Sequence, residues 1–395
     1  MRPGITVQHT SLPQRRLGLV RCDITALVTA ISKEHWPEGT SEGDVVEGRY
    51  DRSHDFWEDA LRPRLTPLAT KAGIAFFENG GELLHVFAVC LESLHQLAAP
   101  SVEDGPLARL FERLRTEDDI GLLIAPDAAG LPTTVRPGHE VHSEGEPLWN
   151  HLLHHCRQMS NRFLVMDPPR GLHEDALLRW IHRFSLESPE TRSYGALYYP
   201  WLQHGDERAP PSGAMAGLYA RTEREHEPFG VLWPPANVPV RGVTHTEVDL
   251  DWREIADLVE HHVNPILVQA GRGVIVWGAR TLSRDPAFIH INSRRIVSMV
   301  SDQLRRDNEW AVFEHNDAST WKVIERDVGV RLEEFWRAGL IAGDTQQGEY
   351  EVKCDAETNP RSEQETGRLN VQVFLRPIGT TEHITIDLRL GSHTT

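Results

Sequence analysis

Apolar residues in the second half of the chain follow two spacings, one typical of strands and the other of helices. Residues 274–277 form an apolar run that is too short for a typical helix and is bounded by glycines. This run predicts a strand buried on both faces. Near the C-terminus every second residue is apolar in two successive runs, which predicts two closing strands. Their apolar positions are Leu369, Val371, Val373 and Leu375, and then Ile384, Ile386, Leu388 and Leu390.

Three segments between these strands have apolar residues at helical spacing. The first follows Asp251, which with Glu254 resembles a capping box, and it should end near His262 because Pro265 disfavours helical geometry just before it. The second carries the stripe Ile296, Val297, Val300 and Leu304, decorated by Arg294, Arg295, Arg305 and Arg306. The third carries Trp321, Ile324, Val328, Leu332, Phe335 and Trp336, with Gly339 as its predicted stop.

The first half of the chain mixes the two spacings. Ile5 and Val7 alternate with polar residues, which predicts a short N-terminal strand, and residues 17–30 should supply a strand that enters the next domain. Between residue 54 and about residue 242, helical patterns around Phe111 and Trp149 alternate with apolar runs at 122–124 and 163–166. This alternation predicts an α/β fold.

Composition is that of a globular chain with a marked acidic excess. Of the 395 residues, 39% are hydrophobic and 25% are charged, and the formal net charge is −17. Nucleic acid is an improbable partner, because sequence-independent binding depends on Lys and Arg at the phosphates. The sequence contains no run of roughly 18 uncharged apolar residues, so no direct membrane insertion is expected. The four cysteines are scattered, which fits reduced thiols and folding in the cytoplasm.

Candidate catalytic and metal-binding residues are few. One local cluster has the residue types of a metal site, and it comprises His151, His154, His155 and Cys156, with His139 and His142 nearby. Its spacing matches no common zinc module. Gly271 and Gly273 lack the third glycine of a dinucleotide fingerprint, and Ser212 lacks a nucleophile elbow. We therefore expect no catalytic residue and no cofactor, with a metal-dependent α/β enzyme as the alternative.

Several phrases, in a fixed order along nearly the whole chain, resemble contractile tail sheath proteins of phages, R-type pyocins and extracellular contractile injection systems. They are Asn79-Gly80-Gly81, Asp167-Pro168-Pro169, Tyr198-Tyr199-Pro200-Trp201, Pro210-Pro211-Ser212-Gly213, Pro235-Ala236-Asn237, Ile291-Asn292-Ser293-Arg294-Arg295 and Trp310-Ala311-Val312-Phe313-Glu314. One such phrase would be weak evidence, whereas this many in the same order are difficult to attribute to coincidence. The chain departs from the family pattern at residues 30–60 and at residues 223–233.

The resemblance implies a mixed α/β and α+β fold with four parts. Residues 1–23 would form an N-terminal arm and the first strand of the core sheath domain. Residues 24–242 would be an inserted outer α/β domain, whose acidic stretch at 34–47 suits solvent exposure. Residues 243–378 would form the C-terminal core sheath domain, and residues 379–395 a C-terminal arm.

The resemblance also implies a structural function. Such a subunit polymerises with copies of itself as sixfold discs around an inner tube protein, with baseplate and terminal cap proteins at the ends. Contraction of the helical sheath drives the tube through a target envelope. Assembly would take place in the bacterial cytoplasm, and the product would be a phage tail or a released tail-like particle.

Two sets of residues are candidate contacts between proteins. The terminal arms, represented by Ile5, Val7, Ile384, Ile386, Leu388 and Leu390, would pair with neighbouring subunits, because an unpaired strand edge invites another chain. The alternative for the last strand is an ordinary hairpin within its own subunit. The candidate contact with the inner tube is the set Arg294, Arg295, Arg305 and Arg306, for which a solvated charged face is the alternative.

Overall fold

The fold is described from a computed structural model. It describes residues 18–99, 101–136, 140–184, 188–343, 350–378 and 384–390, with the backbone alone for residues 183, 184, 189 and 384–390. The N-terminal positions Ile5 and Val7, and also His139, therefore lie outside the described residues.

The strands of the described residues are short and are distributed along the whole chain. They are β1 Thr25–Ser32, β2 Val45–Tyr50, β3 Leu84–Leu91, β4 Leu122–Ile124, β5 Thr133–Val135, β6 Val141–Ser143, β7 Phe163–Met166, β8 Gly195–Tyr199, β9 Leu202–His204, β10 Glu207–Ala209, β11 His245–Thr246, β12 Val263–Gln269, β13 Gly273–Val276, β14 Tyr350–Lys353, β15 Leu369–Leu375 and β16 Ile384–Leu390.

The α-helices alternate with these strands. They are α1 Ser53–Glu58, α2 Pro67–Glu78, α3 Ala108–Thr116, α4 Pro126–Gly130, α5 Glu146–Met159, α6 Glu174–Phe184, α7 Pro189–Arg192, α8 Ser212–Glu225, α9 Trp252–Glu260, α10 Ile291–Asp307, α11 Ala318–Arg337 and α12 Arg361–Glu365. Within the described residues, no helix is long and apolar enough to cross a membrane.

An eight-stranded sheet, in the order β13-β12-β8-β7-β4-β1-β3-β2, organises the larger part of the molecule. The six inner strands pair in parallel, and the edge strands β13 and β2 pair antiparallel to their neighbours. Parallel strands are covered on both faces, so their sequences are continuously apolar. The sheet includes strands from both sides of the predicted boundary at residues 242/243, so that boundary runs through one hydrogen-bonded sheet.

Two helical layers cover this sheet. One layer contains α3, α5 and α6, which bury residues such as Phe111, Trp149 and Trp180 against one face. The other contains α2 and α8, which pack on the opposite face. Gly213 of α8 has no room for a side chain, because a Cβ there would overlap backbone atoms of Ala72 in α2. The close approach of these two helices therefore depends on glycine.

A second core lies at the C-terminal end of the chain. Helices α10 and α11 pack with the antiparallel sheet β14-β15-β16, and the core includes Leu304, Phe335 and Val373. The segment 223–233, where the sequence departs from the sheath pattern, contributes Val231 to this core. Its Phe229 ring also packs edge-on against Phe335 at a centroid distance of 6.1 Å.

Most elements predicted from periodicity are confirmed. The capping box at Asp251 and Glu254 is formed, and the helix that it opens ends at Glu260. The helices around Phe111 and Trp149 and the alternating strands near the C-terminus are also present. Trp277 is an exception, because it follows β13 and is 39% exposed instead of lying inside a buried strand. The strand predicted within residues 17–30 begins only at Thr25.

Candidate functional site: the assembly surfaces

The last strand pairs within its own chain. β16 lies antiparallel to β15 over seven residues, from Leu369 opposite Leu390 to Leu375 opposite Ile384. On β15 the residues alternate between buried and half-buried, so one face of the small sheet rests on the core. This pairing is the hairpin alternative, and pairing of β16 with another subunit stays a prediction.

The small sheet ends in two edge strands. Within the described residues, β14 and β16 lie on either side of β15, and no further strand continues the sheet beyond them. An edge of this kind is a template for strand addition by another chain. The small sheet therefore has two edges on which no further strand of the described residues is paired.

Residues 18–23 run along α10, and hydrogen bonds between their backbone and side chains of α10 hold them there. The Val20 amide donates to the Gln303 side chain at 2.8 Å, and the Gln303 side-chain amide donates to the Gly18 carbonyl at 3.4 Å. Arg295 donates to the Cys22 carbonyl at 2.7 Å. The start of the described chain is therefore fixed to a helix of the C-terminal core.

The prediction that Arg294 and Arg295 contact an inner tube is wrong for the chain as folded. Each is only 5% exposed. The Arg294 guanidinium lies over the rings of Tyr194 and Phe288, at 4.4 Å and 4.3 Å from their centroids. Helix α10 is covered by other parts of the chain on this side, so charges that the sequence places beside an apolar stripe are buried in the protein.

Arg295 forms a buried ion pair with Glu223 of α8. Its guanidinium also lies 4.9 Å from the centre of the Tyr219 ring. Burial raises the pKa of the Glu223 carboxyl to about 7, although the nearby Arg295 lowers it. The pair joins α8, α10 and residues 18–23, because the same arginine binds the Cys22 carbonyl.

Arg305 and Arg306 differ from the first two arginines because they reach the surface. Their side chains are 42% and 30% exposed. Both bind Asp302, Arg305 at 2.9 Å and Arg306 at 3.0 Å, and Arg305 also binds Glu309 at 3.1 Å. They can present positive charge to a partner, although acidic residues of their own helix and its end already neutralise part of it.

The candidate metal-binding cluster is dispersed by the helix that carries it. His155 and Cys156 are buried in the core, His154 is exposed, and the His151 ring lies 3.1 Å from the Ala99 carbonyl. Burial, and then the neighbouring Arg162, lower the pKa of His155 to about 3. Among the described residues, no group of three potential ligands is placed to hold a metal.

The sequence-based reasoning missed one exposed feature. Phe313 is 99% exposed, and its backbone adopts the left-handed conformation with φ of 77°. Trp310, three residues earlier, is 42% exposed. The available signal was an aromatic pair in the connection between two predicted helices.

Comparison with known families places these surfaces in context. The family model described as the phage tail sheath protein central domain matches residues 140–282, and that of the phage tail sheath C-terminal domain matches residues 283–391. Together the two matches cover well over half of the chain. The chain therefore belongs to the phage tail sheath family, and the resemblance seen in the sequence is confirmed.

Individual relatives agree with this membership. A putative prophage major tail sheath protein of Pseudomonas aeruginosa is 25% identical over 60% of this chain and 58% of its own length. The tail sheath protein of Vibrio phage KVP40 is 24% identical over 49% of this chain and 28% of its own length. The match thus spans less than two thirds of the length of each of these relatives.

Solved structures share the fold over nearly the whole chain. The anti-feeding prophage baseplate structure contains a chain that is 23% identical and superimposes with a TM-score of 0.70, covering 98% of both chains. A chain from an extracellular contractile injection system sheath complex in the contracted state superimposes with a TM-score of 0.69 at 20% identity, covering 98% of this chain and 97% of the other. The predicted mixed α/β fold is confirmed. The family consists of structural sheath proteins, and the enzyme alternative finds no support.

Proposed function

We propose that this chain is the subunit of a contractile tail sheath, which polymerises as helical discs around an inner tube and shortens to drive the tube through a target envelope. The observation that carries the proposal is the tandem match of both sheath domains over residues 140–391. Likeness to an injection-system sheath over 98% of this chain supports it. A baseplate, a terminal cap and sixfold discs belong to the same proposal.

Electron microscopy of the purified full-length chain tests this function directly. We expect striated cylinders of uniform width, because a helical sheath repeats the same contact between successive copies. Soluble monomers at all concentrations and salt conditions, or closed rings that never stack, would contradict it. Bound zinc with hydrolytic activity would instead favour the enzyme alternative.

The terminal segments are proposed to exchange between copies. The support is the small sheet, in which β14 and β16 are the edge strands within the described residues. Each backbone hydrogen bond contributes only ~0.5–1.5 kcal/mol net. A strand of seven residues nevertheless adds several of them, and repeated copies would connect the whole cylinder.

Removal of residues 383–395 separates exchange from a permanent hairpin. If β16 pairs with a neighbour in the assembly, the truncated chain should lose polymerisation. If the hairpin with β15 is permanent, the truncated chain should still polymerise. The free monomer should melt at a lower temperature in both cases, because the truncation uncovers one edge of β15. Normal sheaths from the truncated chain would contradict exchange.

We also propose that Arg305 and Arg306 contact the inner tube. Their support is partial exposure, at 42% and 30% of the side chain, on a chain whose net charge is −17. Exposed ion pairs are worth ~0.2–1 kcal/mol each, so such contacts could release during contraction. Reversing both to Glu is a poor test, because Asp302, buried beside them, would then face two further carboxylates.

Arg305→Gln is the cleaner variant, since Arg306 remains to pair with Asp302. We expect fewer tube-filled extended particles from producing cells and an unchanged monomer melting temperature. Arg52→Gln, at an arginine whose side chain is 74% exposed just before α1, is the matched control. Equal yields of filled particles from both variants would leave Arg305 as a solvated charge.

A further inference from the structure

Arg162 is a buried cation that forms no ion pair with a carboxylate among the described residues. It directly precedes β7 and is 0% exposed. Its Nη1 donates to the Leu114 carbonyl at 2.6 Å, and its Nη2 donates to the Glu117 carbonyl. The last carbonyls of an α-helix lack donors within the helix, so the guanidinium binds α3 at its negative end. We call this arrangement the Arg162 clamp.

A neutral histidine completes the clamp. Nη1 of Arg162 also donates to Nε2 of His155 at 2.5 Å, and only a neutral imidazole can accept this bond. The proton of that imidazole therefore lies on Nδ1, which is buried without an acceptor, and Nε of Arg162 is buried without one as well. Buried donors without partners are unfavourable, so the surrounding fold must keep the clamp closed.

The charged groups that face His155 disfavour its protonation. They are Arg162 and, on α3, Arg115, and both are cations. The Phe111 ring packs edge-on against the imidazole at a centroid distance of 5.8 Å. Four other titratable groups favour the charged form of Arg162, and they are Cys156, Glu117, Asp118 and Asp119. A proton on His155 would therefore remove an acceptor of Arg162 and add a like charge beside it.

The loop that follows α3, residues 117–121, is one of the joints between the two cores of the molecule. From the C-terminal core, Arg306 of α10 donates to the Asp118 carbonyl at 2.8 Å. From the large sheet, Arg49 of β2 binds Asp119 at 2.7 Å. Since the clamp holds the start of this loop, its opening would loosen a contact between the large sheet and α10.

We propose that the Arg162 clamp is a pH-sensitive device, which opens residues 117–121 locally in acid and loosens their contact with α10. This inference does not depend on the sheath function, because it concerns the free monomer. In the closed clamp, burial and then Arg162 lower the pKa of His155 to about 3, whereas a solvated histidine has an ordinary value of 6.5. The closed form is therefore fully favoured above pH 6.5, and this advantage is lost as the pH falls, because only the open form takes up a proton.

Hydrogen exchange of the dilute, monomeric full-length chain at pH 7 and pH 5 tests the device. After correction for the intrinsic exchange rate, the open fraction of residues 117–121 should be about 25-fold larger at pH 5, which follows from the two pKa values. Low concentrations of urea should leave this exchange unchanged, because a local opening exposes little surface. The central strand β3 should instead exchange by global unfolding and respond to urea.

His155→Gln is the test variant, since a glutamine oxygen accepts a hydrogen bond from Arg162 but does not titrate. Its loop should open equally at both pH values. His173→Gln, at an exposed histidine just before α6, is the matched control and should keep the wild-type increase. The same increase in His155→Gln as in wild type would overturn the proposal.

Two measurements on the wild type alone keep the proposal open to refutation if His155→Gln does not fold. The open fraction of residues 117–121 should grow nearly tenfold per pH unit below pH 6, and a flat profile would overturn the proposal. Exchange of this loop that matches β3 in rate and in urea dependence would also overturn it, because the opening would then be global unfolding.

Discussion

Removal of Arg295 should destabilise the free monomer, and by more at alkaline pH than at acidic pH. The variant is Arg295→Met, which keeps an unbranched side chain in the same space. Arg295 is 5% exposed, pairs with Glu223 and donates to the Cys22 carbonyl at 2.7 Å. The change therefore removes one ion pair and one charged hydrogen bond from the interior.

The magnitude follows from these two contacts. A hydrogen bond to a charged group contributes ~1.5–3 kcal/mol. Burial raises the pKa of Glu223 to about 7 with Arg295 present. Without the arginine that pKa rises further, so at pH 8 the variant must protonate Glu223, which costs about 1.4 kcal/mol per pH unit above 7. The free energy of unfolding should therefore fall by about 3–4 kcal/mol at pH 8. This value is similar to the ~3–5 kcal/mol that is typical when one partner of a buried ion pair is removed.

At pH 6 the expected loss is smaller, at about 2 kcal/mol, because it comes mainly from the charged hydrogen bond. The folded pKa of Glu223 is raised above its unfolded value, so its contribution to stability is present at low pH and is lost as pH rises towards 7. Below pH 7 the carboxyl is protonated in wild type and variant alike. The ion pair then contributes little, and only the contact with Cys22 and the packing are lost.

Urea unfolding of the monomeric full-length chain at pH 6 and pH 8 measures both values. When Glu223→Gln is the reference protein, adding Arg295→Met should cost the same free energy of unfolding at both pH values, since no carboxyl remains to titrate at this position in either protein. Residues 18–23 should be cleaved faster by proteases in Arg295→Met, because the hydrogen bond from Arg295 to the Cys22 carbonyl is lost. A loss below about 1 kcal/mol that is equal at both pH values would refute the reasoning, since one charged hydrogen bond alone exceeds it.

Two further predictions concern the interior. His155 is 1% exposed and its pKa is lowered to about 3, so its contribution to stability is present above pH 6.5 and is lost as pH falls. Between pH 7 and pH 5 the free energy of unfolding of the wild type, measured in urea, should therefore fall by about 2 kcal/mol relative to that of His155→Gln. A difference between the two proteins that stays constant over this range would contradict the prediction. Gly213→Ala should destabilise the fold by ~1–3 kcal/mol because it forces α8 away from α2. Gly329→Ala lies on an open face of α11 and should stabilise the fold by ~0.5–1 kcal/mol. Melting temperatures that shift in the same direction in both variants would contradict this packing.

Elements with strong periodicity could be predicted from the amino-acid sequence alone. Asp251 and Glu254 form a local capping box, and the apolar stripe from Trp321 to Phe335 repeats along most of its helix, so local residues are sufficient to specify α9 and α11. The alternation of Leu369 to Leu375 likewise specifies β15. Such signals depend only on neighbours in sequence, which explains why they could be predicted without the fold.

Which charges are buried, and which strands are adjacent, depends on the packing of the whole chain. Arg294 and Arg295 have the same local pattern as Arg305 and Arg306, but Tyr194 and Glu223, distant in sequence, cover the first pair alone. The eight-stranded sheet joins β12 to β8 across the predicted domain boundary. Burial is a property of surfaces brought together by the whole chain, so spacing along a single helix or strand cannot specify it.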